Sequence, residues 1–412
     1  MSCNRVFTSP CHRVVTPDLS TTGLTFEELI KDERESNDLD ILRLEGDENS
    51  QVFPLASLPN ELIEHVFCFL DSVAPSEINF NEQPSAHYAN AEATPLKDVS
   101  RVSRKLRDIA LPRLFANVRL DPYRLTPFLV FLHHRRLAKH VSTIVAQLQG
   151  PCNHLHPAWW ARLMNEVPAR TFTIICAPHV FAELVNTSIV SADAWAFNMS
   201  HQLLRLKQDP ESVNDQISLT DLPSIFSARK WTDLSVNEGS SLKAYTTYEY
   251  FLRRTPSLLG TIHARKSSIA DSMLANLRSF TFTAIFPFYN HVDEILKSVK
   301  KMRRLKVLRT KICPEPHSTV LADEIDAAGS HIDVNDPWNE LDTAYSLVAD
   351  TVLFLSIEGQ LEELHVDDVK MTGIRETLEN SINHRLQESW LYRGEGFWIR
   401  QTQRDRSSPS AV

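Results

Sequence analysis

Residues 58–70 read Leu58-Pro59-Asn60-Glu61-Leu62-Ile63-Glu64-His65-Val66-Phe67-Cys68-Phe69-Leu70, and residues 96–115 read Leu96-Lys97-Asp98-Val99-Ser100-Arg101-Val102-Ser103-Arg104-Lys105-Leu106-Arg107-Asp108-Ile109-Ala110-Leu111-Pro112-Arg113-Leu114-Phe115. In the first stretch Leu58, Leu62, Ile63, Val66, Phe67 and Leu70 draw one broad apolar face on an α-helix. Pro59 stands at its start, where a missing N–H costs nothing and a fixed φ suits the first turn. In the second stretch Val99, Val102, Leu106 and Ile109 repeat that face, Leu111 follows, and Pro112 opens a last turn carrying Leu114 and Phe115. Helices this short do not bury their own faces, so the pair requires a partner or a third helix.

The ordered combination Leu-Pro-x-Glu-Leu-Ile-x-x-Val-Phe-x-Phe-Leu, then Val-Ser-Arg-x-Leu-Arg-x-Ile-Ala-Leu-Pro-Arg-Leu-Phe, resembles an F-box. The resemblance implies docking on a Skp-type adaptor and, through it, on the cullin and RING subunits of a ubiquitin ligase. The residues it implicates are Leu58, Pro59, Leu62, Ile63, Val66, Phe67, Leu70, Val99, Val102, Leu106, Ile109, Leu111, Leu114 and Phe115. Some of these must pack the module internally, and the sequence alone does not sort the two groups. Without the resemblance, the stretch reads as a helical hairpin at the start of a domain. One departure stands out. Family members carry a few residues between the two halves, whereas Asp71 to Pro95 makes 25 here. With Pro75, Pro84 and Pro95 among Ser, Asn, Glu and Ala, this insert reads as a surface loop. Loop-closure entropy rises slowly enough with length to tolerate it.

The chain has 412 residues, long for one core, so a small module joined to a larger body is expected. The net charge of −9 is uneven: Phe26 to Asn49 holds ten acidic residues against three basic ones. Residues 1–50 read as a disordered acidic arm and 401–412 as a disordered tail. The acidic balance argues against nucleic acid as partner, and the basic excess of Lys97–Arg119 reads as solvated helix faces. Six scattered cysteines without a Cys-x-x-Cys pair, and no long apolar run, point to a reducing cytoplasmic or nuclear setting without a membrane span.

Beyond Leu120 the pattern changes. The form L-x-x-L-x-L stands at Leu277-Arg278-Ser279-Phe280-Thr281-Phe282 and returns at Leu305–Thr310 and Leu361–Val366, 28 and then 56 residues on. Related slots occur at Val141/Ile144/Ala146, Ala169/Phe172/Ile174, Leu203/Leu206, Trp231/Leu234/Val236 and Leu259/Ile262/Ala264. A helical face over His291–Arg304, with acids first and bases last, fits the intervening element. Strand, turn and helix near a 28-residue period is the unit of a leucine-rich repeat, whose copies must stack to cover their flanks. The spacing fails in places, and Asp323–Asn339 reads as a polar loop. The aromatic segment Trp390–Ile399 suits a cap on the last unit.

Ligand-type residues cluster once, at Cys152-Asn153-His154-Leu155-His156, without the second pair that zinc needs. No phosphate loop, dinucleotide fingerprint or nucleophile elbow appears. Asp367-Asp368 and Asp323-Glu324 read as solvated ends of elements, and the Trp159-Trp160 and Tyr245/Tyr248/Tyr250 clusters as core.

The expectation is an α/β protein: an all-α F-box module over 51–120 with insert 71–95, then an irregular leucine-rich-repeat-like α/β solenoid over 121–400. No catalytic residue, cofactor or metal is expected. The function implied is that of a substrate-recognition subunit of an SCF-type ligase. An unknown protein target would bind outward side chains such as Arg278, Lys306 and Glu362 or their strand neighbours. The alternatives are a non-ligase F-box scaffold, a non-repetitive α/β body, and an enzyme built on the Cys152–His156 cluster.

Overall fold

A ladder of apolar side chains runs across the whole sheet: Val118, Ile144, Phe172, Leu206, Leu234, Phe280, Leu308, Leu364 and Trp398 stand in direct register on neighbouring strands. All of them are buried. They belong to β1 (Asn117–Leu120), β2 (Thr143–Gln147), β3 (Thr171–Cys176), β4 (Gln202–Lys207), β5 (Asp233–Ser240), β6 (Ser279–Ile285), β7 (Val307–Lys311), β8 (Glu363–Val366) and β10 (Phe397–Arg400), with β9 (Trp390–Gly394) at the edge. The computed structural model describes residues 55–401 apart from 72, 89–94, 149–158, 190–191, 198, 210–223, 266–267, 329–332, 334 and 387–388. The acidic arm, the tail beyond 401 and the Cys152–His156 cluster therefore lie outside the described residues.

The strands follow chain order, β1 through β8 and then β10 and β9, in one ten-stranded sheet. Pairing is parallel from β1 to β3 and from β5 to β8. The ladder explains the repeat seen in the sequence. Ile144 to Phe172 and Phe280 to Leu308 are each 28 residues, and Leu308 to Leu364 is twice that.

It also explains where the repeat fails. Strand β4 runs antiparallel to both neighbours, so Leu206 joins the ladder while Leu203 pairs with Ile175 on the opposite face. The slots Leu259/Ile262/Ala264 are not a strand but lie in a helix, because a three-residue step serves a helical face equally well.

Two of the segments quoted first make three helices: α1 (Asn60–Leu70), α2 (Pro95–Val102) and α3 (Arg104–Leu114). Ser103 separates the last two and caps α3, its Oγ accepting from the Leu106 N–H at 3.2 Å. Pro112 lies inside α3 rather than opening a new turn. The third helix that the two short faces required is thus supplied by splitting the second stretch.

Nine helices follow in the described part of the body: α4 (Leu125–His134), α5 (Trp159–Glu166), α6 (Pro178–Leu184), α7 (Leu258–Arg265), α8 (Ser268–Asn276), α9 (Tyr289–Val299), α10 (Val320–Ala328), α11 (Asn335–Glu358) and α12 (Arg375–Leu386). Their apolar sides share one core with the ladder. Val292, Ile295, Leu296, Val299 and Met302 are buried, as the periodicity of α9 predicts. Asp323–Asn339, expected as a loop, instead contributes to α10 and opens α11. Asp323 and Asp336 occupy the first turns, where acids complement the helix dipole. Trp159, Trp160 and Tyr245 are core, whereas Tyr248 is exposed.

The aromatic end forms the antiparallel hairpin β9–β10, with Trp390 and Trp398 buried. Its turn uses Gly394 and Gly396 at φ 94° and 75°. A Cβ on Gly396 would stand 2.1 Å from the Val366 carbonyl oxygen, whereas one on Gly394 would meet nothing within 4 Å. Gly394→Ala should therefore cost only the backbone term, about 1 kcal/mol, while Gly396→Ala adds a steric clash and should cost about 3 kcal/mol. Thermal melts of both variants check this ordering.

Candidate protein-binding faces

The helical module sorts its own apolar residues. Ile63, Phe67, Leu96, Leu106 and Ala110 form its inner core, with Leu58, Leu70, Val99, Ile109 and Leu114 packed against it. Leu111 and Phe115 face the body instead: Leu111 joins the main core, and the Phe115 ring lies 5.4 Å from that of Phe131. Arg113 ties α3 to the end of α1, pairing with Asp71 at 3.5 Å and donating to Cys68 Sγ at 2.8 Å.

What remains outside is an apolar stripe. Leu62 is 51% exposed, Val66 38% and Phe69 78%, and their four- and three-residue steps place them on one side of α1. Val102, at the end of α2, is 73% exposed, and Pro59 is also exposed. Phe69 is absent from the face read in the sequence, because that face was drawn through Leu62, Ile63, Val66, Phe67 and Leu70, and Phe69 stands beside it on the exposed side of α1. Isolated exposed apolar residues are ordinary, but a stripe on one helix marks a contact surface.

The sheet has a second face, opposite the ladder. Its middle row reads Arg119, Val145, Thr173, Arg205, Ser235, Thr281, Arg309 and His365 in continuous register. This face carries three arginines and several small hydroxyl side chains. Arg278, Lys306 and Glu362 stand one residue ahead of β6, β7 and β8, at the rim rather than in these rows. Arg278 pairs with Asp209 at 2.9 Å and Lys306 with Glu362 at 3.0 Å. Alternation gives them the ladder's parity, so their strand neighbours Ser279, Val307 and Glu363 are the ones that start the open rows.

The insert is not a free loop. Pro75–Ile78 makes one helical turn and Asn79–Asn81 a tighter one, and the segment lies across the open face. Phe80 and Tyr88 are buried with Val145, Ile175 and Leu203. The Arg205 guanidinium lies 4.3 Å from the centre of the Phe80 ring and donates to Tyr88 Oη at 3.0 Å and to the Ser76 carbonyl. Asn237 Nδ2 donates to the carbonyls of Phe80 and Glu82 at 2.6 and 2.8 Å, while its Oδ1 accepts from Gly239 at 2.9 Å. Thr283 Oγ1 meets Asn81 Oδ1 at 3.3 Å. Gly239, at φ 78°, admits Gln83 and Pro84 to within 3.4 Å of where a Cβ would stand. Polar composition hid this docking, since only two of the insert's side chains are large rings and its other contacts are backbone carbonyls and small or polar side chains such as Asn81, Gln83 and Pro84.

Two buried polar clusters hold the body together. Asp368, expected as a solvated end, is fully buried. Its carboxylate accepts from the Ile312 and Cys313 N–H groups at 2.7 and 3.1 Å and from Tyr345 Oη, with Lys311 Nζ at 3.6 Å. Burial pushes its pKa up, against the pull of Lys311. Glu238 accepts from Ser257 Oγ at 2.7 Å and stands 2.5 Å from His291 Nε2. A hydrolytic nucleophile needs the histidine against the serine. Here both bind the carboxylate, and Glu238 and His291 are buried, so the group joins β5 to α9. Glu324 is half-buried, and burial raises its pKa despite hydrogen bonds to Ser240 and Lys243. Among the described residues no group of His, Cys, Asp and Glu is arranged to hold a metal ion, and no helix is long and apolar enough to cross a membrane.

His365 stacks on Phe397 with centroids 4.5 Å apart and meets Glu363 at 3.2 Å. Burial lowers its pKa despite Glu363, and burial lowers those of His201 and His263 as well. Folding then favours the neutral rings, so the unfolded chain binds more protons below the ordinary value of 6.5. Stability is present above that value and should fall as the pH drops through it toward the lowered values. Melting temperatures at pH 7.5 and 5.5 check this, and His365→Gln should show a smaller drop.

Comparison with protein-family models, with curated proteins and with solved structures returned no match for this chain.

Proposed function

We propose that the chain is the substrate-recognition subunit of an SCF-type ubiquitin ligase, with no catalytic residue of its own. One observation carries this reading. The helical module has a closed internal core around Ile63 and Phe67, yet leaves Leu62, Val66 and Phe69 uncovered along α1. Such a stripe on a small helical module suits a groove on a Skp-type adaptor, and helix-in-groove contacts read residues at these steps. The ordered strands and their 28-residue ladder support the reading of the body as degenerate repeats. The open, arginine-bearing face of the sheet is the surface we assign to a protein target. Catalysis would be by proximity, a rigid receptor holding its target beside a ubiquitin-charged enzyme.

The test is co-purification of the full chain with a Skp-type adaptor, followed by addition of cullin and RING subunits. Capture of the adaptor with ubiquitin transfer to a bound protein is the expected result. Capture without transfer to any bound protein would leave a tethering scaffold, and failure of capture by folded chain would end both readings.

A further inference from the structure

We propose that residues 74–88 are a built-in, displaceable occupant of a peptide-binding groove on the open sheet face, and that the groove takes a target segment of the same chemistry. That chemistry is an aromatic ring with a phenol ring eight residues further on, as Phe80 and Tyr88 supply. The inference rests on the assignment of this face to target binding and gives that face its ligand class.

The groove has the parts of a peptide reader. Asn237 spends its amide on two main-chain carbonyls of the segment, a contact indifferent to side-chain identity. Specificity comes from the pocket of Val145, Ile175 and Leu203, which seats both rings, and from Arg205, which covers Phe80 and hydrogen-bonds Tyr88.

The segment itself is built to leave. Its local backbone hydrogen bonds are short-range turns: Glu77 and Ile78 to Ala74, Glu82 to Asn79, and Tyr88 to Ser85. None extends the sheet ladder, so displacement breaks no strand pairing. Released, it uncovers polar groups that water satisfies and a small apolar pocket that a second ring refills. The segment also connects α1 to α2, so its release changes how the adaptor-docking module is tied to the target face.

A labelled synthetic peptide of residues 74–88, titrated against the full chain by fluorescence anisotropy, tests the proposal. The unaltered chain should bind it weakly, because its own segment competes at an effective concentration of about 1 mM. The chain carrying Phe80→Ser and Tyr88→Ser should bind it at least tenfold more tightly, and adding Arg205→Ala should remove that gain. A loosened variant that melts cooperatively but binds no better than the parent overturns the proposal, leaving a fixed clamp.

Hydrogen exchange on the unaltered chain decides the matter if the variant does not fold. The amides of Glu77, Ile78, Glu82 and Tyr88 should exchange at least a hundredfold faster than those of β3–β6, and equal protection overturns the displaceable segment. Adaptor capture is scored separately. Peptide exchange without capture leaves the groove standing and removes the ligase reading, while capture without peptide exchange does the reverse.

Discussion

A chain carrying Leu62→Asp and Phe69→Asp is expected to fold as the parent does and to lose adaptor affinity by at least a hundredfold. Both side chains stand in solvent, so a carboxylate there meets no desolvation cost in the free protein. In a complex the same carboxylates would be buried in an apolar groove without partners, which costs several kcal/mol. Pull-down with a Skp-type adaptor, paired with a thermal melt, measures the two effects separately. Ile63→Asp makes a poor substitute. Ile63 is wholly buried in the inner core of the module, so an acid there would unfold the helices and remove adaptor capture for an uninformative reason. Equal capture by the folded double variant would remove the adaptor reading.

Asp368→Ala should produce the largest loss of stability, about 3–5 kcal/mol. The carboxylate receives two backbone N–H groups at the end of β7, the Tyr345 hydroxyl and the Lys311 cation, all of them buried. Alanine would leave the Ile312 and Cys313 N–H groups without this acceptor and take one partner from Tyr345 and one counter-charge from Lys311, and an unpaired buried donor is more costly than the bond it formed is worth. Asp368→Asn keeps one acceptor oxygen and should recover part of the loss. Because burial raises the Asp368 pKa, the ion pair contributes less than a count of charges suggests. Chemical denaturation of the three chains checks the order, and an unchanged midpoint for Asp368→Ala would contradict this account.

These expectations separate what each level of description contains. The helix face at 58–70 was legible because one apolar periodicity suffices to place a short helix, whereas at 96–115 the same periodicity ran across the break that Ser103 makes between α2 and α3. The 28-residue ladder was legible because strands that stack in register need a buried residue at the same slot of every unit. That signal is local in each unit, so it survives in the one-dimensional string. The reversal of β4 was not legible, since a strand's alternation is the same read in either direction.

Three matters were decided only by the tertiary structure. The apolar residues of the module divided into inner and outer sets when a third helix covered one side of α1, and no periodicity says which side that will be. Asp368 became a buried hub because β7 ends against it, a contact between residues 55 and 56 positions apart. The insert became a packed segment because Asn237 and Arg205, more than a hundred residues away, meet its carbonyls and rings. The sequence by itself determined the elements and the repeat that aligns them, since those depend on neighbours within a few turns. Only the fold decided which surfaces stay open, because exposure depends on what distant parts of the chain come to cover.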